Sequence, residues 1–429
     1  MPVTDPTPPT TQRRGADASH YEARYSARAA GAVSSVMRDL MALAERPGVI
    51  TLAGGFPDTA SFPREKYVEV QEVLAREYLA ALLQYGPTEG LREMREAICM
   101  VMAQEGAHTD PDSVLVTTGG QQAIDLTMRT FVDPGDWILA EGPTYPGAVP
   151  SFTSAQARVR HVAMDADGMI IEALEEELDA LHRAGTPPKL LYTIPTFQNP
   201  SGVTMSRERR ERLVALAHER ELLIVEDNPY GQVRFDGDPL PTLWQLDAGA
   251  GWVVYLSTFS KILSPGLRVG WAAAPPPIVR KLNLGKQAGD LCSSTTSQRF
   301  IVEYLRRFDY REHLAHLNGI YRRRRDAMFR ALEEEFPAEA TWSRPQGGLF
   351  LWATLPDYID TGELAARALE RHAVGFVPGA GAFCDGRGRN AMRLNFSGVT
   401  EEVISEGVAR IGTAINEMME LQRMFGGGT

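Results

Sequence analysis

Short apolar runs alternate with longer amphipathic stretches between Val114 and Ala274. The runs are VLVT at 114–117, WILA at 137–140, LLYTI at 190–194, LLIVED at 222–227, VVYLS at 253–257 and VGWAAA at 269–274. Runs of this length, bounded by Gly, Pro or Asn, are typical of strands buried on both faces. The stretch 206–220 between two of them is amphipathic, as expected of a helix that covers a sheet. The pattern therefore predicts an α/β fold with a mostly parallel central sheet sandwiched by helices.

The pattern changes after about Leu282, where long arginine-rich helical stretches begin. These stretches are followed by strand-like pieces at 347–355, 374–379 and 392–397 and by a closing helix from about 400 to 423. Such an α+β composition predicts a second, smaller domain. We therefore expect four parts: a disordered tail at 1–20, an amino-terminal arm at 21–50 that packs on the small domain, a large ligand-binding domain at 51–310 and a small carboxyl-terminal domain at 311–429.

The net charge and the cysteine content make several classes of protein improbable. The chain has 44 Lys and Arg residues against 55 Asp and Glu residues, a net charge of −11, which argues against a general nucleic-acid or anionic-membrane surface. Cys99, Cys292 and Cys384 are far apart, so neither a disulfide framework nor a zinc ribbon is expected. The first residues lack the apolar core of a signal peptide, and no run of 18 apolar residues occurs. We expect a cytoplasmic protein.

Lys261 stands out because lysine is scarce in this chain whereas arginine is abundant. It lies in STFSKILSPGLRVGW, just after a predicted buried strand and among small and apolar neighbours. Burial lowers the pKa of an ammonium group and yields a nucleophilic amine, which arginine cannot provide. A lysine at this position could instead extend its ammonium group to solvent or pair with a carboxylate.

Polar residues also follow two of the other predicted strands. Asp227 closes LLIVED and is followed by Pro229 and Tyr230, while Asn199 lies in the turn QNPSG. The carboxyl ends of strands in such sheets form the ligand crevice, so these side chains are expected to face one site. Asp227 is equally consistent with a helix cap or a metal ligand, and Asn199 with an ordinary turn residue. No HExxH motif accompanies them, and we expect no metal site.

Two features are suited to binding a phosphate group. The first predicted strand runs through Gly119 and Gly120 into the helix QQAIDLTMRTF, whose free backbone N–H groups would face a ligand. The second feature is Arg268, which offers a planar fork for a dianion, with Thr258 and Ser260 as nearby hydroxyl donors. Neither a P-loop nor a GxGxxG motif is present, and a strand-to-helix turn requires glycine for steric reasons alone.

Taken together, the motifs resemble those of the fold type I pyridoxal-phosphate aminotransferases of class I/II. The matching segments are GGQQ at 119–122, GPTYPG at 142–147, QNPSG at 198–202, EDNPY at 226–230, STFSK at 257–261 followed by LRVGW, and MRLNFS at 392–397. Their order and spacing agree from about Arg38 to about Arg423. LAGGFPD at 52–58 and LQYGPTEG at 83–90 are similar to the 2-aminoadipate (LysN-type) and kynurenine aminotransferase branch, which also includes the carboxyl-terminal domains of MocR-type regulators.

The resemblance implies a role for each matching residue. Lys261 would bind the aldehyde of pyridoxal 5'-phosphate and move the proton of the substrate Cα. Asp227 would pair with the ring nitrogen, Tyr230 and Asn199 would hydrogen-bond the phenolic oxygen, and Tyr145 would stack on the ring. The phosphate would be held by Gly120, Gln121, Thr258, Ser260, Arg268 and, from the neighbouring subunit of a homodimer with active sites at its interface, Tyr85.

The resemblance also implies a substrate site. Arg393 would clamp the α-carboxylate in a bidentate pair, with Asn199 beside it, and Gly55 would leave room for a long or bulky side chain. Arg38 matches a mobile arginine that some relatives use for acidic side chains, but it is equally consistent with an exposed helix position. We expect 2-aminoadipate, aromatic or branched aliphatic amino acids as donors and a 2-oxo acid such as 2-oxoglutarate as acceptor, in a ping-pong reaction.

Two alternatives remain open from the sequence. The same ring-binding residues serve lyases, decarboxylases and oxidases that act on amino acids with this cofactor. A MocR-like sensor domain is disfavoured because about 20 residues precede the matching region, which is too few for a winged-helix module.

Overall fold

The computed structural model describes residues 21–31 and 47–425, which form helices, one large sheet and two smaller ones. The helices are Ala27–Ala30, Arg64–Val73, Leu79–Leu82, Arg92–Ala103, Gly120–Phe131, Val149–Ser154, Ile171–Arg183, Arg207–Arg220, Leu243–Asp247, Pro276–Gly289, Thr295–Arg307, Tyr310–Glu335, Thr361–His372 and Glu401–Phe425, with a π-helical segment at Leu74–Tyr78. Single 3₁₀ turns occur at Thr59–Ser61, Pro111–Ser113, Pro265–Leu267 and Gly379–Ala382.

An eight-stranded sheet forms the centre of the molecule. Its strands are β2 (Val114–Thr117), β3 (Trp137–Gly142), β4 (Arg158–Asp165), β5 (Gly168–Met169), β6 (Leu191–Thr193), β7 (Ile224–Asp227), β8 (Val253–Thr258) and β9 (Gly270–Ala273). The order across the sheet is β2-β9-β8-β7-β6-β3-β4-β5. Neighbours from β8 through to β4 are parallel, whereas β9 runs antiparallel to both β8 and β2, and β5 antiparallel to β4.

The central strands are apolar on both faces because helices cover both sides of the sheet. Leu139, Leu191 and Ile224 pack into one core layer, and their neighbours Tyr192 and Val225 pack into the layer on the opposite face. This is the arrangement that the continuous apolar runs predict. The expected α/β fold with a mostly parallel sheet is confirmed. The carboxyl ends of β2, β3, β6, β7 and β8 consequently lie at one edge of the sheet.

A smaller antiparallel sheet lies towards the end of the chain. It consists of β10 (Thr341–Trp342), β11 (Phe350–Thr354), β13 (Val377–Pro378) and β14 (Ala391–Asn395), in the order β10-β11-β14-β13. A separate parallel pair joins β1 (Ile50–Thr51) to β12 (Val374–Gly375). The long helices Tyr310–Glu335 and Glu401–Phe425 pack against each other beside this region. The structure therefore places β14, which carries the predicted substrate arginine, outside the main sheet.

The amino-terminal arm is described only in part. Helix Ala27–Ala30 lies beside helix Val149–Ser154, while residues 1–20 and 32–46 lie outside the described residues, so the packing of the arm stays a prediction. In the described ranges no helix is both long and apolar enough to cross a membrane. The three cysteines carry free thiols.

Candidate active site

One cavity of about 350 Å³ lies at the edge of the main sheet where the carboxyl ends of the strands meet. Its volume is within the range of small-molecule and cofactor sites. The structure brings twelve of the residues predicted from the sequence to its walls: Gly55, Gly120, Gln121, Tyr145, Asn199, Asp227, Tyr230, Thr258, Ser260, Lys261, Arg268 and Arg393.

Lys261 follows the end of β8, and its amine is enclosed in the cavity. The Nζ group donates a hydrogen bond of 2.6 Å to the carbonyl of Gly55. Burial, together with the nearby cations Arg393 and Arg268, lowers the pKa of this amine to about 8. A pKa near 8 leaves an appreciable fraction of uncharged amine at neutral pH, so Lys261 has the electronic state that a nucleophile or a proton acceptor needs.

Asp227 is the last residue of β7 and is 5% exposed. Burial raises the pKa of its carboxyl group to about 6, and the hydroxyl of Tyr192 opposes that rise by donating a hydrogen bond of 2.6 Å to Oδ2. No group of three or more His, Cys, Asp or Glu side chains suited to a metal occurs in the described part of the chain. A cationic group in the cavity would complement the buried carboxylate of Asp227.

Tyr230 and Asn199 form a connected polar pair beside Asp227. The Nδ2 group of Asn199 donates to the hydroxyl of Tyr230 at 3.3 Å, and the Oδ1 atom of Asn199 accepts from Nη1 of Arg393 at 3.0 Å. The ring of Tyr230 packs edge-on against Phe350. Burial raises the pKa of the Tyr230 hydroxyl, which consequently stays protonated and can donate to a ligand oxygen.

Arg393 brings β14 of the smaller sheet to the cavity. Arg393 is 2% exposed, and its Nη2 group donates a hydrogen bond of 2.8 Å to the carbonyl of Ala53. Its guanidinium carbon, Cζ, lies 4.2 Å from the centre of the Phe350 ring. Burial lowers the pKa of its guanidinium group to about 10, so the group remains cationic at neutral pH. A buried planar cation of this kind suits a carboxylate ligand in a bidentate pair.

The start of helix Gly120–Phe131 and Arg268 together form a cradle for an anion. Gly119 has a φ of +79°, and a Cβ at that position would stand 2.5 Å from Nη2 of Arg268. Arg268 itself adopts a left-handed φ of 53° at the end of the 3₁₀ turn that precedes it. The hydroxyls of Thr258 and Ser260 lie 2.8 Å apart next to this cradle. Backbone N–H groups, a guanidinium and two hydroxyls are the donors that a phosphate group requires.

Gln121 and Tyr145 complete the wall beside the cradle. The amide of Gln121 donates to the carbonyl of Gly147 at 2.8 Å and to the hydroxyl of Ser151 at 3.1 Å. A Cβ at Gly147 would stand 2.3 Å from the ring of Tyr145, so the ring can occupy this position only because residue 147 has no side chain. The aromatic side chain of Tyr145 thus lines the cavity.

The roles expected for two predicted residues are not tested by the described part of the chain. The side chain of Tyr85 is 78% exposed, and Arg38 lies outside the described residues, so the roles expected for both stay predictions. The cavity is also lined by residues to which the sequence analysis assigns no role, and all of these are apolar: Phe56, Ile124, Ile194, Pro229, Pro265 and Phe350. Phe56 and Phe350 stand within or close to quoted motifs, but nothing in the sequence indicates that they share a site.

The residues present fit pyridoxal 5'-phosphate. The cradle suits its phosphate, the amine of Lys261, whose pKa is lowered in the cavity, suits its aldehyde, and the carboxylate of Asp227 suits its protonated ring nitrogen. The flat surface of Tyr145 suits its ring.

Comparisons with known proteins agree with this fit. The profile of the family "Aminotransferase class I and II" matches residues 48–411. The chain is 42% identical over 93% of its length to aromatic-amino-acid aminotransferase 1 of Thermococcus litoralis, covering 96% of that protein. Pyrococcus horikoshii kynurenine aminotransferase, solved in complex with PMP, superposes with a TM-score of 0.89 at 39% identity, over 93% of this chain and 98% of that one.

A third relative was solved with the cofactor linked to an amino acid. LysN, the α-aminoadipate aminotransferase of Thermus thermophilus, was solved with N-(5'-phosphopyridoxyl)-L-leucine and superposes with a TM-score of 0.86 at 37% identity, over 94% of this chain and 99% of that one. Family profile, sequence identity and fold therefore agree over nearly all of the chain. The protein belongs to the class I and II aminotransferases of fold type I, and its cofactor is pyridoxal 5'-phosphate.

Proposed function

We propose that this aminotransferase takes the amino group of aromatic and other large 2-amino acids, passes it to a 2-oxo acid such as 2-oxoglutarate, and works in two ping-pong half reactions. The observation that carries the proposal is the convergence of Lys261, Asp227 and Arg393 on one cavity. The proposal that the donor has a large side chain is based on the rings of Phe56 and Phe350, which line the same cavity. These rings offer apolar contact to a substrate side chain.

Pyridoxal phosphate supplies an aldehyde that takes up the amino group and a ring that accepts the electrons released at the substrate Cα. Lys261 provides the amine that holds the cofactor and then removes and returns protons at Cα and at the cofactor aldehyde carbon. Arg393 binds the α-carboxylate of either substrate, which fixes the Cα–H bond within reach of Lys261.

The remaining groups fix the cofactor. Asp227 keeps the ring nitrogen protonated, and Tyr230 and Asn199 donate to the phenolic oxygen. Tyr145 would offer its aromatic side chain to the ring. The phosphate is bound by Gly120, Gln121, Thr258, Ser260 and Arg268.

The assembly that we propose is a cytoplasmic homodimer in which Tyr85 reaches the phosphate of the partner's site. Leu79, Leu83 and Tyr85 expose large apolar side chains within one short segment, which supports burial of that segment by another molecule. Mass measurement in solution tests the dimer, and Tyr85→Phe should weaken cofactor binding if the hydroxyl reaches a phosphate.

A half-reaction screen tests the function. Each candidate amino acid is mixed with the cofactor-loaded enzyme, loss of the visible absorbance is followed, and the products are identified by mass. Phenylalanine, tyrosine and leucine should each yield the matching 2-oxo acid, and 2-oxoglutarate should then restore the band. Release of an amine, of ammonia or of carbon dioxide in place of the 2-oxo acid would contradict transamination.

A further inference from the structure

Beneath the proposed cofactor site, a buried hydroxyl group contacts the carboxylate of Asp227. We propose that Tyr192 is a positioning residue that keeps Asp227 ionised and holds one of its oxygens towards the cofactor ring nitrogen. This inference rests on the role proposed for Asp227. It assigns a function to a residue that does not itself line the cavity.

The sheet itself brings the two side chains together. Tyr192 on β6 pairs in register with Val225 on β7, and both pack into the same core layer. Because side chains alternate along a strand, Asp227, two residues beyond Val225, projects on that same face. The contact therefore depends on the register of two neighbouring parallel strands and not on a mobile loop.

The tyrosine is held firmly in place. Its side chain is 0% exposed, and its ring packs edge-to-face against Phe152 with 5.5 Å between the ring centres. The hydroxyl lies 2.6 Å from Oδ2 of Asp227. A buried tyrosine hydroxyl requires a polar partner, and within the described residues Asp227 is the partner that this one has. Because the Tyr192 hydroxyl binds Oδ2 of Asp227, the other carboxylate oxygen, Oδ1, is left for a ligand in the cavity.

The electrostatic surroundings explain why such a donor is needed. The acidic groups that face Asp227 are Glu141 on β3, Tyr145 on the loop after β3, Tyr192 on β6 and Tyr230 on its own loop. The cations Lys261, Arg268 and Arg393 line the same cavity. Burial raises the pKa of Asp227, and the hydrogen bond from Tyr192 lowers it. Without that donor the acid would be neutral over a wider pH range and could not pair with a cationic ring nitrogen.

Thr193 provides a matched control. It is the next residue along β6, it is fully buried, and its hydroxyl donates a hydrogen bond of the same length, 2.6 Å, to a different buried carboxylate, that of Glu141. Tyr192→Phe and Thr193→Val thus each remove one buried donor to one buried acid. Only the first removes the donor to Asp227.

The test measures the dissociation constant of pyridoxal phosphate for cofactor-free enzyme across a pH series, by absorbance. For wild type, binding should weaken as the pH falls through the pKa of Asp227, because the protonated acid no longer pairs with the ring nitrogen. Tyr192→Phe should weaken binding at neutral pH by roughly tenfold, the effect of one hydrogen bond to a charged group, and should move the midpoint to higher pH. Thr193→Val should change binding by less than about twofold.

A second variant pair separates this inference from the proposed role of Asp227. Asp227→Asn alone should weaken binding strongly, and Tyr192→Phe added to Asp227→Asn should have almost no further effect, because the two residues act as one unit. If Asp227→Asn binds the cofactor as wild type does, the proposed role of Asp227 is wrong. If Asp227→Asn weakens binding but Tyr192→Phe leaves both affinity and midpoint unchanged, only the inference about Tyr192 is overturned.

A conservative analogue covers the case in which Tyr192→Phe does not fold. Fluorotyrosine placed at residue 192 retains the size of the ring and makes the hydroxyl a stronger donor. The midpoint should then move to lower pH, opposite to the shift expected for Tyr192→Phe. A midpoint unmoved in a folded fluorotyrosine protein would overturn the proposal.

Discussion

The two walls of the cavity come from different parts of the molecule and differ in chemistry. One wall consists of the strand ends of the main sheet and carries Lys261, Asp227 and the anion cradle. The other wall consists of Gly55, Phe56, Phe350 and Arg393, which come from the segment after β1 and from the smaller sheet. We infer that the first wall determines the chemistry and the second determines which substrate enters. Variants in the first wall should impair the cofactor chemistry with all substrates. Variants in the second wall should leave the bound cofactor intact and weaken substrate binding, with all amino acids at Arg393, which binds the shared α-carboxylate, and selectively at Phe56.

The largest effect is expected for Lys261→Ala in the first wall. Turnover should fall by at least about a thousandfold with every amino acid, because no other amine in the cavity can replace the nucleophile and proton carrier. Steady-state assays with three donors of different size measure this. Lys281→Ala, which removes an exposed lysine, should retain wild-type rates. Substantial turnover by Lys261→Ala with any one donor would contradict the division between the walls.

A smaller but still large effect is expected for Arg393→Lys in the second wall. The charge is retained but the planar fork is lost, so kcat/KM should fall by about a hundredfold, mainly through KM. The absorbance of the bound cofactor should remain that of wild type. The control is Arg389→Lys, an exposed arginine that pairs with Asp360. A changed absorbance spectrum of the bound cofactor in Arg393→Lys would show that this arginine also serves the cofactor chemistry assigned to the first wall.

The first wall was also the more predictable one from the sequence. Lys261, Asp227 and Asn199 each follow a continuous apolar run, and the carboxyl ends of parallel strands meet at one edge of a sheet. That geometry makes local patterns sufficient to place them together. The family resemblance added Arg393 and Tyr145, which no periodicity indicates.

The second wall was less predictable because its residues meet only through tertiary packing. Phe350 stands in a strand-like run and carries no signal of cavity contact, and Phe56 follows two glycines in a segment without a periodic pattern. Tyr192 was missed for a similar reason, since LLYTI indicates a buried strand and its acidic partner lies 35 residues away. Tyr85 depends on a partner chain, which one sequence cannot position.

The third prediction tests the anion cradle of the first wall. Gly119→Ala should weaken cofactor binding by about tenfold, because the new methyl group would meet Arg268 and the residue would have to keep a left-handed φ. Gly135→Ala is a matched control, since Gly135 has a φ of +91° but no atom within 4 Å of an added Cβ. It should lower the free energy of unfolding by about 1 kcal/mol through backbone strain and leave cofactor affinity unchanged. If both variants lost the same cofactor affinity, the weaker binding of Gly119→Ala would be due to backbone strain and not to the contact with Arg268.

The smallest effect, and the most direct test of the second wall, is expected for Phe56→Ala. The backbone of Phe56 is fixed because its carbonyl accepts from Ser397 at 2.8 Å, yet its side chain is 53% exposed where it lines the cavity. The ring is therefore available to a substrate without supporting the core. Its removal should lower kcat/KM for phenylalanine about fivefold, the effect of losing a partial apolar contact, and leave that for alanine unchanged.

A control for Phe56→Ala is Tyr358→Ala, which removes another exposed aromatic ring that does not line the cavity and should alter neither rate. Equal losses of kcat/KM with phenylalanine and with alanine would mean that Phe56 acts on the first wall. The contact would run through the neighbouring Gly55, whose carbonyl accepts a hydrogen bond from Lys261. The ratio of the two rates, and not either rate alone, thus decides whether residues 53–56 select the substrate. Because the ratio cancels changes in the amount of active enzyme, it detects even a fivefold effect reliably.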